Sequence, residues 1–336
     1  MKDLYNLHNF YNIGKSSKQL NNRGKSFGYQ VLGFGSGVVA ETVVAPNQRG
    51  IFGYGVTDEQ VSMTNLVSTS GVVAADVTGV GTARYDPSSA SYGIDKGIFA
   101  YGEGGGYHSV SNLVTNLGVV GSDVTGVGTA RGLVGAATYG GDKAIFAYGR
   151  VHPNDYTMRN LVTNLGVVGS DLSGAGTTRA AVAGTTYGSN RDKAIFGFGN
   201  IRGGDPPYSS ITNLVNNVGV VGADVSGVGT ARHGLGAAAY GEDKAIYGFG
   251  TTGSNVSLTN LVSNTGVVSA DVTGVGTARN WVAATVYGGD KAVFAFGTVT
   301  GYTAVSNKVS NVGVVATDTG AVGTARASLS GTGYSV

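Results

Sequence analysis

The feature that most constrains the fold is a repeat of about 50 residues that fills most of this 336-residue chain. An arginine recurs at the end of GTAR or a close variant, and an aspartate lies eight residues before it. The arginines are Arg84, Arg131, Arg179, Arg232, Arg279 and Arg326. The aspartates are Asp76, Asp123, Asp171, Asp224, Asp271 and Asp318. Self-similarity at this period predicts structural units that stack against one another.

Each repeat contains four short segments that we predict to be β-strands. Strand A follows the arginine and is small and apolar, as in GLVGAATY at 132–139. Strand B is an apolar and aromatic run that ends in glycine, as in IFAYG at 145–149. Strand C is built on Asn-Leu-Val, and strand D begins with Gly-Val-Val. Short β-branched and aromatic runs between glycine-rich turns favour strands over helices, so we predict an all-β chain.

Four antiparallel strands per repeat correspond to one blade of a β-propeller. The innermost strands of a propeller crowd around its axis, and strand A supplies the small residues that this position needs. The aromatic residues of strand B are expected to fill the wedges between neighbouring blades.

The order of these segments resembles the kelch repeat over nearly the whole chain. The resemblance implies a propeller that is closed by one blade with strands from both chain ends. Two details differ from the usual kelch pattern. Strand B ends in a single glycine, and the only tryptophan, Trp281, lies on strand A. The residues that follow the single glycine are Val56, Glu103, Arg150, Asn200, Thr251 and Thr298.

The chain ends after one strand of a new repeat, and this ending predicts how the ring closes. We predict one seven-bladed kelch-like propeller over 1–336, with six complete repeats over 37–326. The seventh blade would join strand A at 327–336 to strands B, C and D within residues 1–36, because pairing them removes two unpaired sheet edges. The alternative is six blades, with residues 1–36 as an arm that binds a partner.

The repeated aspartates and arginines form the most regular polar pattern, at a fixed separation of eight residues. They could line a central opening and bind an ion, but a ligand site normally breaks the symmetry of a repeat. We therefore interpret them as structural pairs that hold the linker between strand D of one repeat and strand A of the next.

Catalytic and cofactor chemistry finds no support in the motifs. The chain has no cysteine, which removes disulfides, thiolate metal sites and cysteine nucleophiles. Its four histidines are scattered without metal-ligand spacing. We therefore predict no enzyme activity, no cofactor and no metal.

The segments between strands B and C differ in every repeat, while the strands hardly change. Strand alternation predicts that these loops share one face with the arginine-bearing linkers, and binding residues are common on such loops. The binding candidates on this loop face are Tyr107, His108, His152, Tyr156, Arg202, Asp205, Tyr208 and Tyr302.

Composition narrows the class of partner. A net charge of +2 with 12% charged residues creates no strong field, so we expect neither nucleic acid nor membrane insertion. The absence of an apolar segment near the start predicts no signal peptide. Low charge, abundant glycine and near-identical repeats are typical of bacteriophage virion or tail components. We expect a structural protein that docks other virion subunits and contacts a host glycan or receptor; the alternatives are a cytoplasmic kelch-type adaptor and a carbohydrate-binding propeller.

Overall fold

The computed structural model describes residues 47–320 and 322–336, and within these ranges the chain is all-β. One short 3₁₀ helix, Ser189–Arg191, interrupts the strands. The strands in chain order are β1 (Arg49–Gly53), β2 (Thr64–Val67), β3 (Ser88–Tyr92), β4 (Lys96–Ala100), β5 (Ser111–Val114), β6 (Gly135–Tyr139), β7 (Lys143–Ala147), β8 (Arg150–Val151), β9 (Asn154–Asp155), β10 (Arg159–Val162), β11 (Ala183–Tyr187), β12 (Lys193–Gly197), β13 (Thr212–Val215), β14 (Gly236–Tyr240), β15 (Lys244–Gly248), β16 (Thr259–Val262), β17 (Ala283–Tyr287), β18 (Lys291–Thr298), β19 (Tyr302–Val309) and β20 (Ser330–Tyr334).

These strands form three-stranded antiparallel sheets, which we call blades, and one two-stranded hairpin, β8–β9. From the inner to the outer strand, the blades are I (β20, β1, β2), II (β3, β4, β5), III (β6, β7, β10), IV (β11, β12, β13), V (β14, β15, β16) and VI (β17, β18, β19). The inner strands contact one another in the cyclic order β20, β3, β6, β11, β14, β17 and back to β20. The architecture is therefore propeller-like, as the repeat predicts.

The hydrophobic core is divided among the wedges between neighbouring blades. Strand A is small in every blade, as in Gly135–Tyr139, and it packs around the axis. The aromatic residues of strand B meet edge to face across each wedge, with ring centroids 5.1–5.5 Å apart. Each such pair adds about 0.5–1.5 kcal/mol beyond its buried area. The pair Phe52–Phe296 joins blade I to blade VI, so the first and last described blades pack like any two neighbours.

The C-terminal strand β20 does complete a blade, but with a different partner from the one predicted. It pairs with β1 in antiparallel register, from Arg49 opposite Tyr334 to Gly53 opposite Ser330. The expected pairing of residues 327–336 with strands in 1–36 is therefore wrong. Residues 1–36 and the first part of the repeat that begins at 37 lie outside the described residues. The described blades number six, as in the alternative arrangement.

The strand β20 joins β1, rather than a strand within residues 1–36, because blade I carries the same side-chain pattern as the other blades. Arg326, just before β20, donates from Nη2 to Asn65 Oδ1 at 2.6 Å. In blade II, Arg84 makes the equivalent bond to Asn112 at 2.8 Å. The arginine that precedes an inner strand thus selects the blade that carries its asparagine, and for β20 that blade contains β1 and β2.

The outermost segment, predicted as strand D, follows strand C without forming a regular strand. In blade I it is joined to β2 by isolated bridges at Val67–Val73 and Thr64–Val77. Between these bridges the Asn65 side chain donates to the Ala74 carbonyl oxygen at 2.9 Å. The Asn65 side chain thus occupies a carbonyl oxygen that a regular strand would offer to a backbone N–H. Between the two bridges lie three residues of the outer segment but only two residues of β2. The result is a bulged edge rather than a fourth strand.

The loops between strands B and C share one face with the arginine-bearing linkers, as predicted. In each blade the residue after the arginine bridges to the residue after the last glycine of strand B, as in Tyr85–Glu103 and Ala327–Val56. We call this side of the molecule the loop face.

Candidate functional site

The repeated arginines are fully buried, and their guanidinium groups donate to protein acceptors at every nitrogen. Arg84 Nε donates to the Tyr101 carbonyl oxygen at 2.7 Å, and its Nη1 donates to the Thr82 carbonyl oxygen at 2.9 Å. Its Nη2 donates to Asn112 Oδ1 at 2.8 Å. The same three bonds recur at the other five arginines.

The asparagine that binds the arginine also donates a hydrogen bond to an aspartate. Asn112 Nδ2 donates to Asp123 Oδ1 at 2.8 Å and to the Gly121 carbonyl oxygen at 3.1 Å. Asp123 Oδ2 also accepts the Thr82 backbone N–H at 3.0 Å and the Thr82 hydroxyl at 2.6 Å. The carboxylate therefore clamps the linker two residues before Arg84. Arg84 and Asn112 are fully buried, and buried polar groups that are hydrogen-bonded in this way stabilise a fold.

Each arginine is joined to the aspartate of the following repeat. The predicted pairing with the aspartate eight residues before the arginine is therefore wrong. The linker starts at the outer edge of one blade and ends at the inner strand of the next, so its two ends lie in different blades. The joined residues are Arg84 and Asp123, Arg131 and Asp171, Arg179 and Asp224, Arg232 and Asp271, Arg279 and Asp318, and Arg326 and Asp76.

Each arginine also connects two blades through an aromatic ring. The Arg84 guanidinium carbon lies 4.1 Å from the centre of the Tyr54 ring, and Tyr54 directly follows β1 of the preceding blade. The equivalent distances in the other wedges are 4.1–4.5 Å. Burial lowers the pKa of Arg232, Arg279 and Arg326 to about 10, so these groups stay charged at neutral pH.

The aspartates of this network stay ionised well into the acid range. Partial burial by itself would raise the pKa of Asp76, but hydrogen bonds from Thr324 and Asn65 and the charge of Arg326 outweigh it and lower the pKa. The other five aspartates are lowered for the same reasons. The geometry is that of a repeated structural clamp, because its donors and acceptors are used on protein partners.

A cavity of about 350 Å³ opens on the loop face at the end of the propeller axis. We call it the axial cavity. Its lining residues come from five blades and are Asp86, Glu103, Tyr107, Leu133, Arg150, His152, Ala181, Asn200, His233 and Trp281. Concave sites with a few polar groups among apolar walls are the usual form of a binding site.

The repeat loses its symmetry around this cavity. The position two residues after each arginine has a positive φ, between 49° and 65°, in all six blades. It is occupied by Asp86, Leu133, Ala181, Gly234, Trp281 and Ser328. Glycine is the least strained residue in this conformation, yet only blade V uses it, and a tryptophan there costs about 1 kcal/mol or more. Such varied side chains at one strained position indicate that they serve a site rather than the scaffold.

Two carboxylates lie on one side of the axial cavity. Glu103 Oε2 accepts the Tyr85 hydroxyl at 3.2 Å. Asp86 accepts a hydrogen bond from Ser328, yet burial and the nearby charge of Glu103 raise its pKa to about 7. Its side chain keeps partial contact with the cavity although protein atoms surround it. Burial also raises the pKa of Glu103, against the opposing effects of Tyr85 and Arg150.

Aromatic rings form the opposite side. His233 stacks on Tyr208 with centroids 5.0 Å apart and meets Trp281 edge to face at 5.5 Å. Burial and the charge of Arg150 lower the pKa of His233, so the imidazole is neutral at pH 7. Arg150 itself is held by a two-pronged ion pair to Asp155, at 2.6 and 3.2 Å.

Four of the eight predicted binding residues lie at or beside the axial cavity. Tyr107 and His152 line it, and the His152 backbone N–H donates to the Tyr107 hydroxyl oxygen at 2.9 Å. Tyr208 does not line the cavity, but its ring stacks on the ring of His233, which does. Arg202 lies 3.4 Å from His152 Nδ1 through its Nη1.

The other four predicted residues are not lining residues. The His108 ring bonds the Gly104 carbonyl oxygen at 2.8 Å within its own loop. Tyr156 bonds Gly149 through its backbone, and Asp205 is exposed in its loop. Tyr302 starts β19 opposite Thr298 and is exposed.

Sequence reasoning missed the residues that contribute most of the chemistry, namely Asp86, Glu103, Arg150, Asn200, His233 and Trp281. A signal for them was present. Each occupies one of the first two positions after the repeated arginine, or the position after the last glycine of strand B, where the repeats differ from one another. Variation at fixed positions, rather than variation in loops alone, would have identified the site.

Comparisons with known proteins identify no family. No protein-family model matches the sequence, and no curated protein matches it either. In the part of the chain that the structure describes, no helix has the length and apolar character to cross a membrane. The same part contains no cluster of three or more histidine, aspartate or glutamate side chains arranged to hold a metal ion.

Proposed function

We propose that this chain is a non-catalytic structural and interaction protein, built as a closed six-bladed propeller with kelch-like repeats, that docks other proteins. The observation that carries the proposal is the distribution of differences among the repeats. The arginine clamps that join the blades are the same in every blade, whereas the lining residues of the axial cavity come from five blades and change from blade to blade. A symmetric scaffold with one asymmetric cavity is the arrangement expected of a binding platform.

A second surface supports a role inside an assembly. The turns between strand C and the outermost segment lie on the side opposite the loop face, against the tyrosines that end strand A, as Gly166 does against Tyr92. These turns expose large apolar side chains around the rim, including Leu165 at 76% and Val312 at 70% exposure. The others are Val72, Leu117, Val119, Val167, Val218, Val220, Val267 and Val314. We call this set the apolar rim, and exposed apolar surface on this scale marks contact with other subunits.

We propose further that the assembly is a virion, with the apolar rim against neighbouring subunits and the loop face turned outward. The low content of charged residues, 12%, supports packing among other proteins.

The test is sedimentation of the native source material, with mass spectrometry of this chain across the gradient. We expect the chain to travel with virion-sized particles at fixed stoichiometry. A double variant, Leu165→Lys with Val167→Lys, should release it from the particles because it places two charges in the apolar rim. The matched control, Asp58→Lys, adds charge on the exposed loop side and should leave incorporation unchanged. A wild-type chain found only in the soluble fraction would refute the assembly role.

A further inference from the structure

The charges around the axial cavity are unbalanced. Neither Asp86 nor Glu103 has an ion-pair partner among residues 47–320 and 322–336. The one arginine in the lining, Arg150, is already paired with Asp155 and also donates to Asn200 Oδ1 at 2.8 Å. Two carboxylates therefore face the cavity against one guanidinium whose charge is largely compensated.

The two carboxylates also repel each other, since Glu103 acts on Asp86 as a like charge. The backbone holds both in place. Glu103 bridges to Tyr85, next to Asp86, and its side chain lies over the α-carbon of Gly132. Movement of the Glu103 side chain away from Asp86 would disturb these contacts. A bound cation would remove the repulsion, whereas an anion would increase it and a neutral ligand would leave it unchanged.

The opposite wall is suited to the same kind of ligand. Trp281 is fixed by His233, which is fixed in turn by Tyr208. Aromatic faces attract cations, and tryptophan does so most strongly. The apolar stem of a long side chain would lie against Leu133 and Ala181, which also line the cavity.

We propose that the axial cavity binds the ammonium or guanidinium group of a lysine or arginine side chain that a docking protein inserts along the propeller axis. This inference rests on the proposed docking function and names the chemistry of the partner. The cationic group would lie between the two carboxylates and the ring of Trp281, with its stem against Leu133 and Ala181.

Calorimetric titration of the full chain at pH 8 tests the proposal with blocked tripeptides. The probes are acetyl-Gly-Lys-Gly-amide, acetyl-Gly-Arg-Gly-amide and the uncharged acetyl-Gly-norleucine-Gly-amide, each up to 10 mM. We expect at least one cationic peptide to bind at least tenfold more tightly than the norleucine peptide. Asp86→Asn and Glu103→Gln should each weaken that binding about tenfold. Asp58→Asn, an exposed carboxylate on a neighbouring loop, should leave it unchanged.

The pH dependence of binding distinguishes a cationic ligand from a neutral ligand such as a sugar. The titratable groups around Asp86 are Glu103, Tyr85, Tyr107, Arg150, His152 and His233. Because Asp86 takes up a proton near pH 7, binding of a cationic peptide should weaken about tenfold from pH 8 to pH 6, and this loss should be absent in Asp86→Asn. Methyl N-acetylglucosaminide is the neutral comparison. If it binds and the cationic peptides do not, or if norleucine binds as well as lysine, the proposal is wrong.

The outcome is distinguishable from that of the assembly test. A chain that sediments with particles but binds neither cationic peptide would overturn this inference alone. A chain that binds the peptides but stays in the soluble fraction would overturn the virion role alone. Thermal melting of each variant shows whether it is folded, and Asp86→Asn is chosen because asparagine accepts the positive φ of this position.

Discussion

Replacing Asp86 by asparagine should stabilise the protein at alkaline pH while it removes a binding group. Burial raises the pKa of this carboxyl group to about 7 in the folded chain, from 3.8. Between these two values the folded state holds a proton that the unfolded state has lost. The free energy of unfolding contributed by Asp86 therefore falls as pH rises from about 4 to 7, and then stays low.

The magnitude follows from the size of the shift. Each pKa unit corresponds to about 1.4 kcal/mol, so a shift of roughly three units sets a ceiling of about 4 kcal/mol. Because Asp86 keeps partial contact with the cavity, we expect about 2–4 kcal/mol at pH 8. Asparagine resembles the protonated acid in size and stays neutral, so Asp86→Asn should gain this amount at pH 8 and much less at pH 4.5.

The assay is urea unfolding of both proteins at pH 4.5 and pH 8, followed by circular dichroism. Asp58→Asn is the control, and its effect should be small at both pH values because Asp58 is exposed. An Asp86→Asn variant that is equally stabilised at the two pH values, or destabilised at pH 8, would refute the reasoning. Replacing a residue that only supports the fold should lower the stability. Replacing a binding residue that is held in an unfavourable environment should raise it, as is expected at a functional site.

Three further predictions concern the scaffold. Asn112→Ala should lower the free energy of unfolding by about 3–5 kcal/mol because it leaves Nη2 of the buried Arg84 guanidinium without its acceptor, while Asn311→Ala, in an exposed turn, should cost less than about 0.5 kcal/mol; equal melting temperatures for the two variants would contradict the clamp. Asp76→Asn and Asp123→Asn should lower the melting temperature by similar amounts, since Asp76 accepts a hydrogen bond from Thr324 as Asp123 does from Thr82; an unchanged melting temperature in Asp76→Asn would show that the segment around Thr324 is not held by Asp76. The stability that the six clamp aspartates contribute should be fully present above about pH 3.8 and lost as pH falls through their lowered pKa values, because each must take up a proton; acid unfolding followed by circular dichroism should therefore shift to higher pH in Asp76→Asn, and an unchanged midpoint would contradict this account.

Local pattern was enough to predict the units of this fold. The alternation of small residues in strand A and aromatic residues in strand B identified inner strands and wedge-filling strands, because crowding at an axis and gaps between blades require those sizes. The loop face also followed from alternation along each strand. The bulged outer segment did not, since it depends on a side-chain bond from Asn65 to Ala74 that competes with the ladder.

Pairing between distant segments could not be inferred in the same way. The sequence places Asp76 eight residues before Arg84, and this proximity suggested a pair. In the fold the linker between them crosses from one blade to the next, so Asp76 meets Arg326 instead, at 3.7 Å. The same holds for β20, whose partner β1 is chosen by the contact between Arg326 and Asn65 rather than by any local resemblance.

The repeat by itself determined the secondary structure, the blade-like units and the use of a C-terminal strand to complete a blade, because these follow from side-chain size and from strand alternation within 50 residues. The tertiary structure alone decided which edge that strand joins, which aspartate serves each arginine, and where the axial cavity lies. Asp86 and Glu103 belong to blade II, His233 to blade V and Trp281 to blade VI, so the site joins blades that are far apart in the sequence. They meet only because the inner strands return to their starting point around a single axis.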